Sequence, residues 1–135
     1  MIDRAVNIIR RHGYNITSEI ESGINVLVKP VSLERCLMNI LANAEKFSQK
    51  AIIKLYKKEN YLIISLDDNG MGIEEKYRKD VFKPFFRIEN SRNKNTGGVG
   101  LGLSIVADVI KSHGGDISIS ESSLGGLSIS IKIPI

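Results

Sequence analysis

Cysteine is almost missing from this chain, since Cys36 is the only one in 135 residues. A lone cysteine excludes a disulfide framework and a cysteine-rich zinc site, and its place among apolar residues at helical spacing predicts a buried structural thiol. Long apolar runs are also missing, because no stretch approaches the roughly 18 residues that a membrane span needs. Residues 1–13 mix acidic and basic side chains where a signal peptide needs an apolar segment. We therefore expect one folded domain, residues 1–135, in a reducing compartment.

Aromatic residues are scarce as well, at 6% of the chain, and tryptophan is absent. The formal net charge is +4 and the isoelectric point is about 9.2, values that nucleic-acid-binding proteins also show. Here, however, lysine and arginine are interspersed with glutamate and aspartate, and few aromatic side chains are available to stack on bases. The composition therefore disfavours a nucleic-acid partner.

The hydrophobic pattern predicts a fold of helices packed on a sheet. Helical spacing predicts helices over residues 2–12, 32–47 and 101–113, with a short charged helix over 74–81. Ser32 is expected to cap the helix over residues 32–47. Alternation predicts strands over residues 15–21, 24–29, 51–56, 61–66, 116–122 and 127–135. Because the strands follow one another as hairpins rather than as βαβ units, we predict an α/β two-layer sandwich. Its sheet is mixed and mainly antiparallel, and it packs on about three helices.

Four glycines fall within the nine residues TGGVGLGLS, residues 96–104, where the last predicted helix begins. Each glycine inside regular structure costs about 0.5 to 1 kcal/mol, so close approach to a ligand is the usual reason for such a run. The spacing does not fit a Rossmann fingerprint, because Leu103 stands at its third glycine, and no G-K-[ST] of a Walker loop is present. A glycine-rich loop leading into a helix still suits phosphate oxygens, whereas a flexible surface loop is the alternative.

A polar face runs along the apolar helix predicted over residues 32–47. Asn39, Asn43 and Lys46 are spaced i, i+4 and i+7, so they share one side of this helix. Amide oxygens suit a Mg²⁺ ion that keeps most of its waters, and a lysine suits phosphate. An ordinary solvated helix face has the same composition, so this site alone decides nothing.

A third site, DDNGMGI, follows the strand predicted over residues 61–66. Asp68 is an acceptor at the strand end, and Gly70 and Gly72 let the backbone come close to a flat ring. A turn that closes the strand accounts for the glycines but not for the carboxylate beside them.

Taken in order, these motifs resemble the histidine-kinase catalytic domain of the GHKL family, which has the Bergerat ATP-binding fold. NxxxNAxKF, DxGxGI, FxPFFR at residues 82–87 and GxGLGL before a helix are similar to its N, G1, F and G2 boxes. The resemblance covers essentially the whole chain and is closest to EnvZ-type osmosensor kinases, in VSLERCLMNILANAEKF, RKDVFKPFFR and the late GGLSI. Three positions depart from the common pattern: Phe47 replaces tyrosine, Met71 replaces proline and Val99 replaces threonine.

The resemblance implies ATP and Mg²⁺ as ligands. Asn43 would bind the metal, and Asp68 would accept a hydrogen bond from the adenine amine, which predicts a preference for ATP over GTP. Catalysis would depend on Asn39, Asn43, Lys46 and Arg87. The nucleotide would be bound by Asn39, Asn43, Lys46, Phe47, Asp68, Gly70, Gly72, Ile73, Phe82, Phe85, Arg87, Gly98, Val99, Gly100, Leu101, Gly102 and Leu103. Residues 82–102 of this set would form a lid over the triphosphate.

The resemblance also implies transfer of the γ-phosphoryl group to a histidine on the protein's own dimerisation domain, and from there to a response regulator. Asn39 stands where ATPase relatives place a glutamate that activates water, so hydrolysis should be slow. Neither His12 nor His113 lies in an acceptor motif, and His113 is expected to cap a helix end. We therefore expect a cytoplasmic catalytic fragment of a bacterial inner-membrane homodimer, whose sensor, membrane spans and dimerisation domain lie upstream.

Two alternatives share the nucleotide boxes. A GHKL serine protein kinase of the anti-sigma-factor type would phosphorylate a protein serine. A nucleotide-binding module without catalysis would only bind ATP.

Overall fold

The computed structural model describes residues 2–21, 30–83, 87–88, 99–100 and 102–135. The α-helices of this part are α1 (Ile2–Arg11), α2 (Pro30–Phe47) and α3 (Leu103–Ser112). The strands are β1 (Asn15–Ile20), β2 (Lys50–Lys58), β3 (Tyr61–Asp68), β4 (Arg87–Ile88), β5 (Val99–Gly100), β6 (Asp116–Glu121) and β7 (Leu127–Pro134). Two 3-10 turns, Glu75–Tyr77 and Asp80–Phe82, follow β3. The strand predicted over residues 24–29 lies outside the described residues.

The main sheet has the strand order β1-β2-β3-β7-β6. The pairs β2–β3, β3–β7 and β7–β6 are antiparallel, as predicted, but β1 and β2 are parallel. The parallel pair corrects the expectation that all strands are joined as hairpins. It arises because α2 lies between β1 and β2 in the chain, and a helical crossover returns the next strand in the same direction.

The helices cover one face of this sheet. α2 lies between α1 and α3 and contacts β2 and β3, whereas α1 contacts β1 and α3 contacts β6. The alternation along β7 buries Leu127, Ile129, Ile131 and Ile133. The predicted core side of α2 is likewise buried, at Leu37, Ile40, Leu41 and Ala44. These contacts confirm the predicted two-layer sandwich. Among the helices that the structure describes, none is long and apolar enough to cross a membrane.

The second helix begins earlier than predicted. α2 starts at Pro30, so Ser32 lies in its first turn and the prediction that Ser32 caps it is wrong. Proline suits this position because its missing N–H would have no partner in the first turn and its φ is already helical.

Two other helix boundaries also differ. The helix predicted over residues 74–81 is replaced by the two 3-10 turns, in which only Val81 is buried, so no apolar stripe supports a longer helix. α3 begins at Leu103 rather than at residue 101. The reason is Gly102, whose left-handed φ of 64° cannot belong to an α-helix.

Cys36 lies in the core on α2, with 2% of its surface exposed, which confirms the predicted buried thiol. Burial raises the pKa of this thiol to about 11, from an ordinary value of 9.0. At pH 9 about 1% of native molecules, against about half of unfolded ones, would carry the reactive thiolate. We therefore expect a thiol reagent to label Cys36 at least about fiftyfold more slowly in the native protein than in urea.

The same pKa difference makes stability depend on pH. Between about pH 9 and pH 11 the unfolded state loses the thiol proton and the native state keeps it, so the free energy of unfolding falls as pH rises. A Cys36→Ala variant should show a shallower fall than the parent protein. Equal labelling rates in native and unfolded protein would contradict both expectations.

Candidate functional site

Asp68 ends the row of β3 side chains that faces the helices. The inward residues before it, Ile64 and Leu66, belong to the core, so the sheet places a carboxylate where the pattern would continue with an apolar side chain. Asp68 is only 8% exposed. Its Oδ1 accepts two backbone hydrogen bonds of 2.9 Å each, from the N–H groups of Gly70 and Leu127.

The second carboxylate oxygen of Asp68, Oδ2, is the acceptor that remains. Among the described residues, no hydrogen bond uses it. Every fully buried side-chain oxygen of the described residues has a hydrogen-bond partner. Because Oδ2 has none, it is accessible to solvent. The site therefore presents one acceptor oxygen in a fixed orientation, at the edge of an apolar core.

The turn between β6 and β7 forms a wall beside Asp68. The Gly126 N–H donates to the Asp68 carbonyl oxygen at 3.1 Å. A Cβ on Gly126 would collide with Asp68 Oδ1 and with the Gly70 nitrogen, so only glycine fits at this position. The GGLSI motif does not by itself predict this role of Gly126, because the contact of Asp68 with Leu127 joins residues 59 apart.

Asn69 ties the glycine loop after β3 to the connection between α2 and β2. Its Oδ1 accepts hydrogen bonds from the N–H groups of Gln49 and Lys50, at 2.9 and 3.0 Å. Its own N–H donates to the Lys50 carbonyl at 3.1 Å. Sequence reasoning did not select Asn69, although an asparagine after a strand is a turn signal.

The polar face of α2 lines an open groove of about 600 Å³. Its lining residues are Glu34, Arg35, Met38, Asn39, Ala42 and Asn43. The predicted pair Asn39 and Asn43 is half-buried along this groove. Further along the helix Lys46 is exposed, and its Nζ lies 5.2 Å from the ring centre of Phe47.

The start of α3 contacts this polar face. Asn39 Nδ2 donates to the Gly102 carbonyl oxygen at 3.4 Å, across 63 residues of sequence. Gly102 supplies no side-chain cap, so the N–H groups that open α3 lack a capping partner from that residue. The Leu103 side chain is 1% exposed, which leaves only its backbone as a possible ligand contact.

The predicted lid is described in part. β4 and β5 pair Arg87 with Gly100 and Ile88 with Val99, as a small antiparallel sheet. Phe82 is partly buried against the core. The predicted ligand residues outside the described part are Phe85, Gly98 and Leu101.

The glycine loop ends at Ile73, which is 8% exposed. Its carbonyl oxygen accepts a hydrogen bond of 3.2 Å from Arg78 Nε. Gly72, before it, lies against the β6–β7 turn, since a Cβ there would be 3.4 Å from the Gly126 carbonyl oxygen. The structure therefore brings Asp68, the glycine loop and the hairpin turn together.

The residues present fit a weakly held Mg²⁺ better than a dedicated metal centre. Within the described part of the chain, no group of three or more His, Cys, Asp and Glu side chains is placed to hold a metal ion. Mg²⁺ usually keeps several waters and takes its other ligands from one or two side chains and from phosphate. An asparagine oxygen in an open groove is compatible with that arrangement.

Comparison with known families decides the relationship. A family model described as histidine kinase-, DNA gyrase B-, and HSP90-like ATPase matches residues 28–135. The chain belongs to this family. Its membership implies ATP binding, and it confirms the relationship that the N, G1, F and G2 boxes indicated.

Curated relatives of the chain are sensor kinases. It is 36% identical to the sensor histidine kinase CpxA of Escherichia coli strain K12 over 107 residues, which are 78% of this chain and 23% of CpxA. It is 31% identical to the sensor histidine kinase WalK of Bacillus subtilis in an alignment of 139 residues, which covers 99% of this chain and 23% of WalK. The chain thus spans about a quarter of the length of the curated relatives it matches.

Solved structures of histidine kinases share the fold. A mycobacterial sensor histidine kinase, MprB, superposes with a TM-score of 0.83 at 29% identity, covering 98% of this chain and 91% of that one. The histidine kinase domain of the E. coli osmosensor EnvZ gives a TM-score of 0.76 at 28% identity, covering 99% and 83%. The chain is thus a histidine-kinase-type ATPase domain, and a modest likeness to EnvZ is consistent with the motifs.

Proposed function

We propose that residues 1–135 form the catalytic domain of a sensor histidine kinase. The domain binds Mg-ATP and transfers the γ-phosphoryl group to a histidine on the protein's own dimerisation domain, from which a response regulator takes it. The observation that carries the proposal is Asp68, a buried carboxylate with one oxygen held by two N–H donors and the other left for a ligand. The chain spans 23% of these relatives, which supports a larger protein. We propose that this larger protein is an inner-membrane homodimer with the present domain in the cytoplasm.

The base end of the site is formed by β3 and the glycine loop. Asp68 accepts from the exocyclic amine of adenine, whereas the carbonyl oxygen of guanine would face the carboxylate and be repelled. Phe47 and Ile73 pack against the base, and Gly70 and Gly72 keep the loop close to it.

The phosphate end is formed by α2, the lid and the start of α3. Asn43 would hold Mg²⁺, with Asn39 beside it, and Lys46 and Arg87 would hold phosphate oxygens by charge. When bound, the metal ion neutralises charge on the phosphates during transfer. We assign the lid side of the phosphate site, as part of this proposal, to Phe82, Phe85, Gly98, Val99, Gly100, Leu101, Gly102 and the backbone of Leu103.

Asn39 favours a kinase over a hydrolase. An amide cannot accept a proton from an attacking water, so the residue that faces Gly102 supplies no general base. A neutral imidazole already presents a lone pair, so a histidine acceptor has less need of such a base. This domain therefore positions ATP for a histidine better than it activates water.

Replacing Asn43 by alanine tests the metal assignment. We expect the affinity for ATP to fall about tenfold in Mg²⁺ and to change little in EDTA, because only the metal-dependent part of binding uses the amide oxygen. Titration with a fluorescent ATP analogue under both conditions measures this. The matched control is Asn7→Ala, which removes an exposed asparagine from α1. Equal losses with and without metal would remove Asn43 from the ligand set.

A further inference from the structure

Tyr14, between α1 and β1, makes a hydrogen bond to the end of α2. The side chain is 9% exposed, and its hydroxyl is bonded to Ser48 Oγ. Ser48 Oγ donates its own proton to the Ala44 carbonyl oxygen. Since a hydroxyl has a single proton, the Tyr14 O–H must be the donor to Ser48. A short chain of hydrogen bonds therefore joins the N-terminal segment to the last turn of α2.

Ser48 in turn contacts the loop that holds the Asp68 carboxylate. A Cβ on Gly70 would lie 3.2 Å from the Ser48 Cβ and 2.5 Å from the Phe47 carbonyl oxygen, so the loop rests directly on the end of α2. The N–H of Gly70 is one of the two donors to Asp68 Oδ1. A shift of Ser48 is therefore passed to Gly70 and to the orientation of Asp68.

The electrostatics of Tyr14 agree with this connection. Burial raises the pKa of the Tyr14 hydroxyl, the bond to Ser48 lowers it, and the carboxylates of Asp68 and Glu45 raise it. The Tyr14 hydroxyl therefore stays protonated at neutral pH and can donate, and it lies close enough to Asp68 for that charge to affect its pKa.

We propose that Tyr14 is a positioning residue for the nucleotide base, acting through Ser48 and Gly70 on Asp68. The inference rests on the proposed role of Asp68 as the adenine acceptor. It makes the docking of the α1–β1 connection against α2 part of the base site, although that segment contains no predicted ligand residue. Changes that loosen this docking would weaken adenine recognition while leaving the phosphate contacts intact.

The test is Tyr14→Phe, which removes one hydroxyl and keeps the buried ring. Competition of ATP and of GTP against a fluorescent ATP analogue gives both affinities. We expect the ATP affinity to fall about three- to tenfold, the GTP affinity to stay unchanged, and the ratio of the two to fall by the same factor. Tyr61→Phe, the same change on a residue of β3 whose ring lies near Lys132, should leave both affinities at the parent values.

A double-mutant cycle tests the route through Ser48. Ser48→Ala alone should lower the ATP-to-GTP ratio, and adding Tyr14→Phe should lower it no further, because the two residues act as one unit. Multiplied losses would overturn the route. An unchanged ratio in Tyr14→Phe, even with a lower melting temperature, would show a purely structural role and overturn the proposal. A parent protein without preference for ATP would instead refute the role of Asp68, and this inference with it.

Discussion

Asp68→Asn is expected to lower the affinity for ATP about 10- to 100-fold while the domain stays folded. The asparagine keeps one oxygen that can accept from the N–H groups of Gly70 and Leu127, so the loop retains both 2.9 Å hydrogen bonds. The other oxygen becomes an NH₂ donor, and it would face the adenine amine, which is also a donor. Guanine presents an oxygen at that position, so the affinity for GTP should fall less than the affinity for ATP. The preference for ATP over GTP should therefore become smaller.

The neighbouring carboxylate provides the control. Asp67→Asn makes the same change of charge one residue earlier on β3, where the side chain points to the opposite face of the sheet. Competition between ATP and GTP, with thermal unfolding recorded in parallel, distinguishes a lost contact from a lost fold. Parent-like ATP affinity in Asp68→Asn, or an equal loss in Asp67→Asn, would take Asp68 out of the base site.

The isolated domain is expected to bind Mg-ATP, hydrolyse it slowly and incorporate no acid-labile phosphate. Transfer needs the acceptor nitrogen in line with the γ-phosphorus at near-attack distance. Neither histidine of the chain lies in an acceptor motif, and Nδ1 of each already has a hydrogen-bond partner. His12 Nδ1 lies 2.9 Å from Glu45, and His113 Nδ1 lies 2.8 Å from the Val109 carbonyl at the end of α3, as its predicted capping role requires.

Adding the proposed dimerisation domain as a separate polypeptide should start transfer to the histidine proposed as its acceptor. The rate should be lower than in a tethered protein, because tethering raises the effective concentration. Incubation with γ-labelled ATP, followed by acid and base stability tests, measures this, and His12→Gln and His113→Gln serve as controls. Label on either histidine of the isolated domain would contradict the fragment interpretation. Acid-stable, base-labile label on a protein substrate would favour the serine-kinase alternative.

Local periodicity was enough to predict most helices and strands of this fold. The spacing of apolar residues along α2 and the alternation along β7 identify elements whose buried faces the structure confirms. The same kind of pattern failed over residues 74–81, where few apolar residues contact the core and short 3-10 turns replace a helix. Periodicity also overlooked the left-handed φ of Gly102, because a single backbone angle leaves no repeat in the sequence.

The sequence by itself determined which residue types are available and in which order they occur. They are a carboxylate at the end of β3, amides along α2 and glycines before α3. The tertiary structure alone decided what they contact. The bond from Leu127 to Asp68, that from Asn39 to Gly102, and the parallel pairing of β1 with β2 all join distant segments. Such contacts depend on how helices and strands pack, and the free energy of packing belongs to pairs of surfaces. The residue pattern of one helix or strand indicates which of its faces is buried, but not which other element packs on that face.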